Sequence, residues 1–319
     1  MSEKVTQKKQ GKSRSKVAIL LCTYNGQHFL DEQLDSFTAQ THPDWQIYAS
    51  DDGSTDTTLQ LLKERQQKLP ENQLKILSGP AKGFVANFLS LTCNASIEAD
   101  YYAYSDQDDI WEADKLERAL CWLQSVPSNT PALYCSRTRL VDTENNEIGL
   151  SPLFSKQPSF ANALMQNISC GNTIVFNNAA RALLVETKKN LPITAHDWWA
   201  YILITGCGGL VHYDSYPSLR YRQHQNNLIG INPSIAARCK RIHMLWQGDF
   251  KSRNDRNIAA LSTLAHLLTP ENQQRLNNFI KAREQSLIPR LILLKRLGFY
   301  RQTHLGNLGL VTAAIFNKL

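Results

Sequence analysis

No run of this chain is long and apolar enough to cross a bilayer: the longest, near Tyr201–Val211 and Leu305–Phe316, fall short of the roughly 20 residues a spanning helix needs. Integral membrane insertion is therefore not expected. Residues 1–16 carry Lys4, Lys8, Lys9, Lys12, Arg14 and Lys16 but no hydrophobic periodicity. They read as a disordered basic tail without the apolar core of a secretory signal. The seven cysteines are scattered, odd in number and without paired metal-ligand spacing, the pattern of buried free thiols in a reducing compartment. Cys170, beside Gly171, could act as a nucleophile, but a small packing residue is the plainer reading. Internal repeats and low-complexity linkers are also missing.

Against these absences stands the run Ser105-Asp106-Gln107-Asp108-Asp109-Ile110-Trp111, with three carboxylates in four positions after an apolar, aromatic stretch. Crowded carboxylates at a strand end are costly unless a cation joins them, and hard oxygen ligands suit Mg²⁺ or Mn²⁺ bound with a phosphate. The same run also reads as a solvated turn with Asp108 or Asp109 capping the next helix. A second acidic turn, Asp51-Asp52-Gly53-Ser54-Thr55-Asp56, follows another strand pattern. The net charge of +7, concentrated in the tail and in Arg238–Arg256, suits an anionic partner, a nucleotide or a membrane surface.

The first half alternates strand and helix signals. Strands are expected at Val17–Cys22, Gln46–Ser50, Leu74–Leu77 and Tyr101–Ser105, and later at Ala132–Cys135 and Asn172–Asn177. This predicts an α/β class with a mainly parallel central sheet flanked by helices. In such sheets ligands bind beyond the carboxyl ends of the strands, where Thr23 to Asn25, Asp51 with Asp52, and Asp106 with Asp108 all fall.

Six segments in order resemble a known family: Leu21-Cys22-Thr23-Tyr24-Asn25-Gly26, Asp51–Asp56, Gly83-Phe84-Val85-Ala86-Asn87-Phe88, Ser105–Trp111, His196-Asp197-Trp198-Trp199 and Tyr221-Arg222-Gln223-His224. The family is the inverting family-two glycosyltransferases, and the likeness is greatest to its bacterial rhamnosyltransferase-like members. The resemblance implies the GT-A type nucleotide-diphospho-sugar transferase fold over 17–230, followed by a basic helical C-terminal extension over 231–319.

It further implies that Thr23, Asn25, Asp51 and Asp52 hold the nucleoside and that Asp106 and Asp108 are the preferred metal pair, with Asp109 able to replace either. Arg222 would neutralise phosphate, and His224 would contact phosphate or complete the metal shell. Gln225 stands where members often carry glycine. Asp197 matches the family's base, and the indoles of Trp198 and Trp199 offer apolar faces for a sugar. Asp197 as a helix N-cap with both tryptophans in the core fits these residues equally well. The Ser169–Thr173 loop, with Gly171 and Asn172, would lie near the acceptor.

The reaction implied is metal-dependent transfer of a sugar, L-rhamnose among the candidates, from a dTDP- or UDP-sugar to a surface polysaccharide or lipid-linked glycan. A cytoplasmic protein is expected, with a peripheral position on the inner face of the membrane as an option: basic residues interleave with Trp246 and Phe250, and Arg290, Lys295 and Arg296 with Leu287, Ile288, Leu291 and Ile292. Packing of these helices on the catalytic domain is the other option. Nucleotidyl transfer would require a basic phosphate loop after the first strand, and Thr23–His28 supplies no lysine or arginine. A non-catalytic carbohydrate- or nucleic-acid-binding module would not need Asp106, Asp108 and Asp197, and acidic turns repel nucleic acid, so no nucleic-acid partner is expected.

Overall fold

A computed structural model describes residues 15–187, 191–224 and 249–319. The apolar run that opens the fold forms β1 (Val17–Thr23), buried along its whole length. It pairs in parallel with β2 (Trp45–Asp51) on one side and β4 (Tyr101–Ser105) on the other, and β3 (Leu74–Ser78) lies parallel outside β2. Strands buried on both faces need continuous apolar sequence, and β1 supplies it.

Register places the chemistry. Thr23 aligns with Asp51, Asp51 with Ser78, and Leu21 with Ser105, so the turns after β1, β2 and β4 open at one edge of the sheet.

Beyond β4 the sheet becomes mixed. β8 (Val175–Asn177) runs antiparallel to β4, β6 (Ala132–Val141) antiparallel to β8, and β9 (Leu210–Arg222) parallel to β6. β5 (Ile110–Trp111) and β7 (Glu147–Leu150) add antiparallel edges to β9 and β6. The expected strand at 172–177 is shorter than predicted. A single 3₁₀ turn, Gly171–Thr173, precedes it, closed by Thr173 N–H donating to the Cys170 carbonyl.

Helices α1 (Leu30–Thr38), α2 (Thr58–Lys68), α3 (Phe84–Thr92) and α4 (Lys115–Leu123) cover the first half, followed by α5 (Phe160–Ala163) and α6 (Asn178–Val185). Helix α7 (His196–Gly206) is buried at every residue. A helix apolar all round must be covered on all sides. The sheet covers one side, and the C-terminal helices α8 (Asp249–Thr263), α9 (Pro270–Glu284), α10 (Leu287–Arg296) and α11 (His304–Ile315) extend the same core on the other.

The join is also polar. Asn272 Nδ2 donates to the Thr205 and Gly206 carbonyls, and Thr269 N–H also donates to Gly206, satisfying the orphan end of α7. Arg290, expected among surface cations, is buried and donates to Ala314 O of α11 and Gln285 O. The described part of the extension therefore shares the catalytic core. Trp246 and residues 238–248 of the basic stretch lie outside the described residues.

Candidate active site

The first two polar turns are stitched together by side chains. Asp51 accepts from Thr23 Oγ1 (2.9 Å), Ser54 Oγ (2.6 Å), Gly53 N (3.2 Å) and Ser54 N (2.9 Å). These four donors fill the roughly four acceptor sites of a carboxylate. Asp51 therefore shapes the turn, with Thr23 as its partner.

Asp52 accepts from Ala81 N (2.8 Å) and Gly83 N (2.7 Å), pinning the entry to α3 and keeping further acceptor capacity. Asn25, at φ +48°, accepts from Thr55 N (2.8 Å) through Oδ1 while its own N–H reaches Ser54 Oγ. Beside it Tyr24 is 57% exposed, an aromatic face open to the cleft edge.

Gln107, not singled out from the sequence, ties the acidic run to the first turn. Its Oε1 accepts from Tyr24 N (2.8 Å) and its Nε2 donates to Tyr24 O (2.9 Å). A Cβ at position 26 would stand 2.2 Å from Gln107 Oε1, so Gly26 is the space in which this amide docks. Its place inside the acidic run was the only hint available from sequence.

The three carboxylates of that run divide by environment. Asp109 is fully buried and accepts from Asn172 Nδ2 and from Arg222 N (3.2 Å), while its N–H reaches Gln33 Oε1. It anchors the run to β9 and to the 171–173 turn. Asp106 and Asp108 are half-buried. Burial, then the charges of Asp108 and Asp197, push Asp106 up to about 8. No group among the described residues donates to its carboxylate.

His224 Nε2 lies 2.8 Å from Asp108 Oδ2, so the last motif segment returns to the acidic run. Gln225 lies outside the described residues. Arg222 is buried and committed: its Nη2 pairs with Glu32 (2.8 Å), its Nε donates to Asp108 O and its Nη1 to Thr143 O. It holds the acidic turn from behind. Glu32 was not visible as a partner 190 positions away.

Beneath the run, Lys115 Nζ is buried 3.7 Å above the Trp111 ring with no hydrogen-bond partner among the described residues. Burial lowers it to about 7, partly offset by Asp109.

Asp197 sits in the first turn of α7. Helix α7 starts at His196 with Ala195 as N-cap, so Asp197 is inside the helix and is not its cap. Its Oδ1 accepts from Trp198 N (2.6 Å) and its Oδ2 from Asn167 Nδ2 (2.9 Å). Burial raises it to about 6, against those hydrogen bonds. That value lies in the range of a carboxyl that can exchange protons near neutrality.

The rest of the expected acceptor surface faces inward. Trp198 donates through Nε1 to Ala163 O and Trp199 to Thr187 Oγ1, both buried. Gly171 leaves room for His196, whose Nε2 would be 2.9 Å from a Cβ there, rather than for a ligand. Asn172 is spent on Asp109. Neighbouring His196 stacks on Phe88 at 3.8 Å with both ring nitrogens unpartnered among the described residues, and burial lowers it to about 3.

Among the described residues no three His, Cys, Asp or Glu side chains are gathered as a preformed metal cage. Asp106, Asp108 and His224 nevertheless fit a divalent ion: hard oxygen and imidazole donors at a strand end, one carboxylate without a donor among the described residues and raised by burial and then by its neighbours' charge. Mg²⁺ binds through one or two carboxylates plus substrate phosphates, which such a partial set matches.

This edge gathers paired acidic turns, a strand-end carboxylate pair and a desolvated carboxylate at a helix start. A model described as glycosyl transferase family 2 matches residues 18–186. Over 242 residues the chain is 33% identical to the dTDP-rhamnosyl transferase RfbG of Shigella flexneri, covering 70% of this chain and 78% of that one.

It is 26% identical over 156 residues to the UDP-Glc:alpha-D-GlcNAc-diphosphoundecaprenol beta-1,3-glucosyltransferase WfgD of Escherichia coli, covering 49% and 57%. S. aureus TarS 1-349 in complex with UDP-GlcNAc shares the fold at TM-score 0.53 and 15% identity, over 88% of this chain and 90% of that one. The mannosyltransferase PcManGT from Pyrobaculum calidifontis with GDP-Man and Mn2+ does so at TM-score 0.51 and 17% identity, over 96% and 86%. The chain belongs to glycosyl transferase family 2 and is a glycosyltransferase.

Proposed function

We propose that this glycosyltransferase is metal-dependent and inverting, and that it moves L-rhamnose from dTDP-L-rhamnose to a hydroxyl of a surface polysaccharide or lipid-linked glycan. The observation that carries the mechanism is that one loop ties the two acidic centres together: Asn167 Nδ2 donates to Asp197 and Asn172 Nδ2 to Asp109 of the acidic run. A base and a metal-binding carboxylate must flank one anomeric carbon. The sugar assignment rests on the similarity to RfbG.

Asp197 takes the proton of the acceptor hydroxyl as that oxygen bonds to the anomeric carbon from the face opposite the diphosphate. The bond from that carbon to the diphosphate oxygen breaks in the same step, inverting the configuration. Asp106, Asp108 and His224 would hold a divalent cation, which would supply charge neutralisation for the departing diphosphate. Asp52 and the Asn25 turn receive the nucleoside, with Tyr24 offering a face to the base.

Calorimetric titration with dTDP-L-rhamnose and common UDP-sugars, each with Mn²⁺ and with EDTA, tests the donor. Metal-dependent preference for dTDP-L-rhamnose is expected; preference for another donor replaces the sugar, and indifference to metal rejects the site.

The acceptor reading includes contact with an anionic bilayer. Half of the exposed large apolar side chains of the described residues lie between Leu287 and Phe316, among them Ile288, Ile292, Leu305 and Leu308. Apart from the buried Arg290, residues 285–319 hold Lys295, Arg296, Arg301 and Lys318 and no acidic residue. Each cation near an anionic surface contributes about 1 kcal/mol. In co-sedimentation, the full chain is expected to bind phosphatidylglycerol vesicles and not phosphatidylcholine ones, and Leu305→Asp with Leu308→Asp to abolish binding while transfer to a soluble acceptor persists. A wild-type chain left in the supernatant with both would reject the contact.

A further inference from the structure

We infer that Asn167 is a positioning residue for the base: its side-chain amide is a one-way donor that orients Asp197 and keeps it ionised, locked in that sense by Ser169. This rests on the reading of Asp197 as the base.

The direction of the amide follows from chemistry. At one end Asn167 meets Ser169 N at 3.0 Å and Ser169 Oγ at 2.8 Å. A backbone N–H can only donate, so that end of the amide is the oxygen. The NH₂ therefore faces Asp197 Oδ2 at 2.9 Å and cannot exchange places with the oxygen without setting two acceptors against each other.

Ser169, itself fully buried, also lies 3.2 Å from the Asp197 carbonyl oxygen, tying the loop to the first turn of α7. Trp198 N donates to Oδ1, and the Gly171 backbone of the same loop also stabilises the charged carboxylate, so Asn167 acts within a set of donors that hold both oxygens. The same loop carries Asn172, whose amide holds Asp109. Two asparagines five positions apart thus fix the base and the acidic run to a single segment.

The titratable groups facing Asp197 are His196 on its own helix, Tyr104 and Asp106 from β4 and its end, and Cys170 from the loop. Of these Asp106 is the acid, and removing the Asn167 amide leaves it in place. A hydrogen bond to the charged form lowers a carboxyl's pKa, so losing it raises the pKa.

The test is the pH profile of kcat/KM at saturating Mn²⁺ for wild type, Asn167→Leu, Asn167→Asp, Ser169→Ala and Asp197→Asn. Asn167→Leu is expected to move the acid limb upward by about one pH unit and to lower plateau kcat about tenfold, with donor affinity unchanged. Asn167→Asp, two carboxyls sharing one site, should move it further. Ser169→Ala should move the limb in the same direction by less, and it answers the question if Asn167→Leu does not fold.

Limbs coincident with wild type in the folded variants, while Asp197→Asn is inactive, overturn the role of Asn167 alone. Activity retained by Asp197→Asn overturns the base assignment on which it stands.

Discussion

Asp197→Asn is expected to lower kcat by about 10³- to 10⁴-fold with donor affinity unchanged, because the amide keeps the shape of the side chain but cannot take the acceptor's proton. The surroundings of Asp197 accept the amide at one of its two ends. Trp198 N–H still finds an oxygen at Oδ1. The Asn167 amide can be met by the other end of the new side chain only at the cost of one mismatched contact.

The pH dependence has a definite sign. Transfer needs the ionised carboxylate, and burial places its pKa at about 6. Wild-type kcat/KM should therefore rise with pH through about 6 and level off above it, and steady-state rates between pH 5 and 8 measure this. An unchanged kcat in Asp197→Asn, or an acid limb that survives the substitution at a residual rate, would assign the proton transfer to another group.

Asp108→Ala is expected to reduce transfer about a thousandfold, close to 4 kcal/mol of transition-state stabilisation, and to remove the metal dependence of donor binding. Asp108 is the pivot of the acidic run. Its carboxylate meets His224 and its carbonyl is held by Arg222 Nε. Asp109→Ala should act differently, through stability: it leaves Asn172 Nδ2 and Arg222 N without their buried acceptor, at about 1–3 kcal/mol for each unsatisfied group. Calorimetric donor titrations with and without EDTA, beside a denaturant curve for each variant, separate the two effects. Metal-dependent donor binding retained by Asp108→Ala would place the ion elsewhere.

The strands that bury both faces were legible because nothing but a continuous apolar run can occupy such a position, and Val17–Cys22 is one. The convergence of three polar turns followed from strand direction alone. The long β9 was visible only near its end, since its pairing with β6 runs through register shifts that no local pattern encodes.

Trp198 and Trp199 read as a sugar platform because they adjoin a carboxylate. Helix α7 is buried at every residue, however, so both indoles enter the core although they point about 100° apart. The charge of Arg222 is visible in sequence, whereas its partner Glu32 and its burial are set by the tertiary fold. The amides of Gln107, Asn167 and Asn172 carry no charge and fit no spacing rule, yet they hold the carboxylates in place.

The most direct measurement is donor consumption and product configuration followed by NMR, with the full chain, dTDP-L-rhamnose, an acceptor glycan and Mn²⁺, repeated with EDTA. The account predicts a product with the anomeric configuration opposite to the donor's and turnover that stops on chelation. Retained configuration, or turnover indifferent to EDTA, would contradict it.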